Sequence, residues 1–416
     1  MTLANFDELL AKYAHLLIKK GLNVGTGDYV HINTDVNQIQ LTHLLVKQAY
    51  EAGAAHVAVD FSDDTLTRLK YEYESTETLC EVPDYAVAKA EYFLEKRAKR
   101  LALRSTDPNN LSGLDAQKIS ASQRALRSAI AHVSTAIQAN EVSWLVAAGA
   151  APAWAAVVFP DLASSQEQVD ALWEAIFKAN RIYADDPIAA WDQHVATLDQ
   201  KAKFLNDTQF DALHYTGPGT DLVLGLPKNH VWESAGSLNR KGEIFIANMP
   251  TEEVFTAPDF RRAEGYVSSS KPLAYGGTVI EGMKFTFKDG QIVEVSAEKG
   301  EETLKRLVEE NEGARGLGEV ALVAHKTPIS QSGITFFNTL FDENASNHLA
   351  IGQAYATSVQ GGTDMSQEEL AQAGLNRSIV HVDFMIGNEH MDIDGIKGHV
   401  FLSSARANGP TKLERM

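Results

Sequence analysis

Apolar residues recur at three- and four-residue intervals near the start of the chain: Phe6, Leu9, Leu10, Tyr13, Leu16 and Leu17. That spacing predicts an amphipathic helix from Phe6 to Lys20, ended by Gly21. A buried strand follows over 29–32, a helix over 41–52 closed by Gly53, and a second strand over 56–61. Strand, helix, strand implies a parallel pair joined by a right-handed crossover. Helical spacing covers 85–105 and 122–139, then a strand over 141–146 and a helix over 169–181. The first half therefore reads as α/β with a mainly parallel sheet.

The pattern changes after about residue 200. Short strand-like runs cover 221–226, 243–248, 284–287 and 292–295, and Asp289-Gly290 between the last two signals a hairpin. A helix is predicted over 301–311, a strand over 319–324, a helix over 349–355 and a strand over 380–386. Asp394-Gly395 reads as a last hairpin turn. This half is α+β with an antiparallel sheet. The expected division is an α/β domain over 1–205 and a catalytic domain over 206–416.

Composition narrows the function. With 416 residues, 44% of them hydrophobic, the chain can bury a sizeable core. A net charge of -18 opposes binding to nucleic acid or to an anionic membrane surface. The single cysteine, Cys80, leaves no intrachain disulfide and no cysteine-based zinc site. The N-terminal residues are acidic and amphipathic, unlike a secretory signal. The longest apolar run, 144–160, is interrupted by Gly149 and Pro152 and reads as strand, turn and helix rather than a membrane span. These features fit a reducing cytoplasm.

The chemistry concentrates towards the C-terminal end. His381 and Asp383 are two apart on a predicted strand, so they share a face, while Val380, Val382 and Phe384 point into a core. His348 and Tyr355 are seven apart, which on the predicted helix sets them on one face two turns apart. Glu343 precedes that helix. Glu319 opens an apolar strand just after Gly316 and Gly318. Glu252 and Glu253 lie in a loop bracketed by Pro250 and Pro258, and Glu253, beside Val254-Phe255, is the better placed to point inward. Carboxylates and imidazoles are the ligand set of a hydrolytic zinc, cobalt or manganese site. The excess of carboxylates suggests more than one divalent cation.

Taken singly, each residue has an ordinary alternative. His381 and Asp383 fit an exposed strand face, His348 a hydrogen bond at a helix start, and Tyr355 simple packing. Glu252 and Glu253 fit solvated loop positions, and His325 a surface histidine. Asp392 and Asp394 fit the hairpin turn better than a ligand role. No dinucleotide fingerprint, Walker loop, His-Glu-x-x-His helix or Gly-x-Ser-x-Gly elbow occurs.

Together, however, Pro250 to Pro258, Gly318 to Val323, Leu340 to Tyr355 and His381 to Gly387 resemble the motifs of the aminopeptidase T family of metallo-aminopeptidases. The resemblance runs through the second half and more loosely through the first. It implies a cytoplasmic homodimer with two divalent cations, acting on peptides with a free N-terminus. Carried over by motif, the metal ligands are Glu253, Glu319, His348, His381 and Asp383. Tyr355 is implied as a ligand or catalytic hydroxyl, and Glu343 in a metal role. Either Glu253 or Glu319 is implied to shuttle the proton. Two rivals remain at this stage: a dinuclear hydrolase of a non-peptide amide or phosphoester, and a small-ligand-binding α/β protein without catalysis.

Overall fold

Four parallel strands organise the N-terminal part: β1 (Tyr29–Asp35), β2 (His56–Ser62), β3 (Lys99–Arg104) and β4 (Trp144–Ala148), in the order β2-β1-β3-β4. Their buried positions include Val30, Ile32, Leu101, Leu103 and Leu145. The computed structural model describes residues 3–397 and a strand at Val400–Leu402. The chain divides into two units. Unit 1 is the chain up to His194 with Gly236–Thr251 and Tyr275–Thr278. Unit 2 is Val195–Ala235, Glu252–Ala274 and everything from Val279 onward.

In unit 1 the first helix, α1 (Phe6–Leu16), widens into a π turn over Leu17–Gly21, so the predicted element is present but not α-helical to its end. α2 (Ile39–Glu51) makes the crossover from β1 to its parallel neighbour β2. α3 (Asp64–Tyr73) follows β2, its N-terminus capped by Asp63. The helix expected over 85–105 is two elements: α4 (Asp84–Glu95), then β3. Arg97 takes a positive φ of 50° and stops the helix, and the alternation of Leu101 and Leu103 then sets a strand. The 122–139 pattern is likewise broken, into helices Ala116–Ala129 and Ala131–Gln138. The long apolar run forms the expected strand, turn and helix, with the helix at Pro152–Val158.

Unit 2 carries two antiparallel sheets. The larger has seven strands. They include β5 (Ala212–Gly217), β6 (Thr220–Gly225), β8 (Ala263–Ser268), β9 (Lys284–Lys288), β10 (Gln291–Ser296) and β14 (Asp392–Lys397). The smaller sheet has the order β13-β12-β11-β7, where β7 is Glu253–Thr256, β11 Leu317–Val323, β12 His348–Gly352 and β13 His381–Met385. The Asp289-Gly290 hairpin between β9 and β10 forms as expected. Both residues hold positive φ, 51° and 80°, as a two-residue hairpin turn requires. The sheets meet where Phe384 of β13 packs on Phe285 of β9, ring centroids 4.5 Å apart.

Two expectations in this unit are corrected. Residues 349–355 are not helical, because β12 occupies His348–Gly352. All five of its residues are buried. A strand covered on both faces loses its polar alternation, and a short apolar run then resembles a helix segment. Asp394-Gly395 is not a turn either, because both residues lie inside β14. Gly395 is there because a Cβ would come within 2.3 Å of the Phe210 ring. Among the described residues, no helix is long and apolar enough to cross a membrane.

Candidate metal centre

The smaller sheet of unit 2 collects the candidate ligands on one face through register alone. Opposed residues of an antiparallel pair share a face, as do alternate residues of a strand. Glu319 of β11 stands across from Ala350 of β12, and Ala350 across from Asp383 of β13. Ala321 pairs with His348, Gly352 with His381, and Val323 with Glu253 of β7. Glu253, Glu319, His348, His381 and Asp383 therefore project together. The positions between them on that face are mostly Ala321, Ala350 and Gly352, whose small side chains leave a trough between the donor groups.

Within the trough the donors form two groups that share Glu319. One is Glu253, Glu319 and His348, the other Glu319, His381 and Asp383, and each offers ligand atoms within 4.8 Å of one another. Glu319 Oε1 lies 3.5 Å from His348 Nε2, and its Oε2 lies 3.6 Å from His381 Nε2. His348 Nε2 is also 3.0 Å from Glu253 Oε2, and His381 Nε2 is 3.5 Å from Asp383 Oδ1. Each imidazole is oriented from behind. His348 Nδ1 lies 3.1 Å from the Ser346 carbonyl, and His381 Nδ1 lies 2.7 Å from the Gln353 carbonyl. A carbonyl only accepts, so Nδ1 carries the proton and donates, which leaves the Nε2 lone pair free for a cation.

Apart from the imidazole Nε2 atoms beside them, the positions a cation would share, Glu253 Oε2 and Asp383 Oδ1 are buried with no hydrogen-bond donor. Buried carboxylate oxygens are ordinarily satisfied, so both atoms call for a cation. The donor set fits a hard or borderline divalent ion.

The electrostatics fit the same account. Burial opposes charge on His381, but the Asp383 carboxylate beside it, with Glu319, outweighs burial and raises its pKa to about 9. Burial likewise opposes the His348 imidazolium. The hydrogen bond and charge of Glu253, aided by Glu319 and Asp383, hold it well above the ordinary histidine value. Burial, with Asp383 and Glu253 nearby, raises Glu319 to about 7 despite its contact with His348. Asp383 is held below the usual carboxylate range: burial pushes up, and the charge and hydrogen bond of His381 prevail. Crowded carboxylates trapping protons on two histidines is what a cation-binding pocket does when protons stand in for the cation.

Tyr355 reaches this place by a route the sequence did not suggest. It follows β12 by three residues, and its ring lies 5.0 Å from that of His381 and 6.0 Å from that of Phe255. Burial and the charges of Glu319, Asp383, Glu343 and Glu253 raise its phenol well above the ordinary value, so the hydroxyl keeps its proton. Glu343, on a short 3-10 turn over Glu343–Ala345, is buried but belongs to neither donor group. Burial, with Asp383 and Glu253 close by, raises it well above the carboxylate range. Glu252 is buried too, its backbone N–H bonded to Asn344 Oδ1 at 2.7 Å, so it is no solvated loop position. His325 sits exposed in a turn. Asp392 and Asp394 belong to β14, in the other sheet.

Residues that hold the ligands escaped the sequence reading. Asn347 Oδ1 accepts the Val323 N–H at 2.8 Å, and its carbonyl accepts the N–H groups of Ile386 and Gly387, each at 2.9 Å. One residue thereby ties β11 and the end of β13 beside His348. The adjacency of Asn347 to His348 was the one available hint. The roles of Ser346 and Gln353 run through backbone carbonyls and leave no mark in side-chain chemistry.

A sheet face bearing such a donor set fits a metal-dependent enzyme. The family model described as Thermophilic metalloprotease (M29) matches residues 6–400, and the chain belongs to that family. It is a metal-dependent hydrolase. Aminopeptidase PepS of Streptococcus thermophilus is 59% identical over 396 residues, 95% of this chain and 96% of the relative. Aminopeptidase AmpS of Bacillus subtilis (strain 168) is 48% identical over 392 residues, 94% of this chain and 95% of the relative. The solved structure of wild-type AmpT from Thermus thermophilus superposes with a TM-score of 0.86 at 43% identity, covering 94% of this chain and 96% of that one. These matches support the two-part architecture and set aside the binding protein without catalysis.

Proposed function

We propose that Glu253, Glu319, His348, His381 and Asp383 would hold two divalent cations, with Glu319 common to both donor groups, and that the enzyme hydrolyses the first peptide bond of chains with a free N-terminus. The enzyme is a metallo-aminopeptidase. The observation that carries the two-cation reading is Glu319 itself, whose two oxygens face His348 and His381 at 3.5 and 3.6 Å. Glu253 and His348 would complete one site, and His381 and Asp383 the other. When bound, the cations supply Lewis acidity that polarises the scissile carbonyl and eases deprotonation of water. Zinc, cobalt and manganese all suit these donors.

The chain's own residues perform the rest. Tyr355, its phenol protonated, donates a hydrogen bond to the oxyanion that develops on the scissile carbonyl. A carboxylate of the trough, Glu253 or Glu319, carries the proton to the leaving amine. Glu343, kept protonated by burial and the neighbouring carboxylates, would give up that proton and take a metal role when cations are loaded. A carboxylate of the trough would also hold the substrate's free amine, which restricts cleavage to the first residue. The catalytic residues all fall within 206–416, the half assigned to catalysis. The single cysteine and the family resemblance support a cytoplasmic homodimer.

The test is a panel of aminoacyl anilides and short peptides, free or N-acetylated, assayed with chelator and with added zinc, cobalt or manganese. Free substrates should be cut only with metal, and acetylated ones should be inert. Cleavage of acetylated peptides at internal bonds would contradict the exopeptidase reading.

A further inference from the structure

Unit 1 contains a second constellation that the hydrolytic chemistry does not use. In its parallel sheet β2 lies on one side of β1 and β3 on the other. Connections that diverge from neighbouring parallel strands open a crevice at the strands' carboxyl ends, where open α/β sheets bind their ligands. Asp35 ends β1 and Arg104 ends β3, while Ser105 follows at once and Asp64 opens α3 after β2.

Two buried polar atoms at this edge are unsatisfied, one on Asp35 and one on Ser105. Asp35 is 3% exposed, and its Oδ1 accepts from the backbone and side chain of Asn37 at 2.9 and 2.7 Å. Its Oδ2 is buried with no partner, as is the Oγ of Ser105, a residue 2% exposed. The pairing of β1 with β3 ends at Asn33 opposite Ala102, and Asp35 and Arg104 each lie two residues further along, so they share a face at the carboxyl ends of neighbouring strands. These two opposite charges nevertheless form no ion pair with one another, and Arg104 is exposed. Asp64 accepts the Asp107 N–H at 2.8 Å and adds further negative charge close to Asp35.

The chemistry of this edge selects its ligand. The carboxylates do not converge as the donor groups of unit 2 do, which disfavours a bare divalent ion. Their excess disfavours phosphate. A carboxylate and a guanidinium one strand apart, left unpaired, match a molecule with an ammonium and a carboxylate on one carbon. We propose that the carboxyl end of the unit 1 sheet binds a free α-amino acid, its ammonium on Asp35 and its carboxylate on Arg104. Ser105 supplies a further hydrogen bond. This inference stands on unit 1 alone and is independent of the metal reading.

The experiment is calorimetric titration of the full chain as purified with L-leucine, leucinamide and N-acetyl-leucine. The variants are Arg104→Gln, Asp35→Asn and Glu319→Gln. Asn at 35 keeps the Oδ1 acceptor for Asn37 and changes only the unpartnered position. Leucine binding should survive Glu319→Gln and weaken by roughly tenfold or more in Arg104→Gln, the loss expected for one charged contact. Leucinamide lacks the carboxylate and should be indifferent to Arg104→Gln. Asp35→Asn should weaken both ligands, and N-acetyl-leucine should not bind. If Asp35→Asn fails to fold, the exposed Arg104 still decides the matter. Leucine binding that is lost in Glu319→Gln and unmoved in Arg104→Gln belongs to the metal trough and overturns the proposal. An absence of binding at millimolar leucine overturns it too, leaving a structural water only at Asp35.

Discussion

Gly318 lies so close to the carbonyl of Gln353 that a Cβ would come within 2.2 Å of its oxygen. That oxygen is the one to which His381 Nδ1 donates. The glycine is therefore part of the ligand's support, although it touches no ligand. In Gly318→Ala the carbonyl must move and His381 loses its orientation. We expect metal affinity to fall by about 10–100-fold, the usual cost of losing an outer partner of a ligating histidine. Equilibrium titration with zinc would check this, and an unchanged affinity would show that His381 does not depend on Gln353.

The trough depends on small residues opposite the donors. Ala350 lies between Glu319 and Asp383 across three strands. Ala350→Leu should fill the space between the two donor groups and abolish activity. The overpacking should cost only about 1–3 kcal/mol of stability. Thermal unfolding and turnover measured together would separate the effects, and a folded variant with ordinary activity would mean the trough is not where metal binds.

Ligand and bystander should separate cleanly. Glu319→Gln keeps shape and removes charge, so turnover should drop by orders of magnitude in a chain that still folds. His325→Gln alters an exposed turn residue and should leave activity within about twofold, as surface changes usually do. Circular dichroism and steady-state rates report both.

Protons and cations compete for the histidines. In the metal-free chain the His381 pKa is raised from 6.5 to about 9, and that of His348 is raised as well. A raised pKa means the protonated form stabilises the fold. That contribution is full below about pH 6.5 and is lost as pH climbs through about 9. The stability of metal-free protein should therefore decline over that window, while cation affinity rises over it. Loading at pH 7 should release protons, which calorimetry in buffers of different ionisation enthalpy detects. Binding without proton release would contradict the histidine assignments.

Much of this was legible in the sequence, and the failures have physical causes. The parallel and antiparallel halves followed from the spacing of apolar residues, because half-buried elements keep their period. His381 and Asp383 could be set on one strand face for the same reason. Burial of β12 on both faces erases its alternation, so the spacing predicts a helix joining His348 to Tyr355 where the chain forms a strand. Tyr355 reaches the donor face instead because the chain turns after Gly352 and returns Tyr355 over His381. Gly395 was read as a turn because its other use, room for the Phe210 ring, depends on a residue 185 positions earlier. Ser346 and Gln353 act through backbone carbonyls, which no residue pattern announces, and Asn347 acts through contacts with strands distant in sequence.

The central claim is that Glu319 is shared by two cations, and metal stoichiometry tests it most directly. Purified protein should be depleted, reloaded with zinc, cobalt or manganese, and its bound metal measured by mass spectrometry alongside aminopeptidase activity. The account predicts two equivalents per chain at full activity and loss of both metal and activity in Glu319→Gln. Full activity with one equivalent or none, or two equivalents retained undiminished in Glu319→Gln, would contradict it.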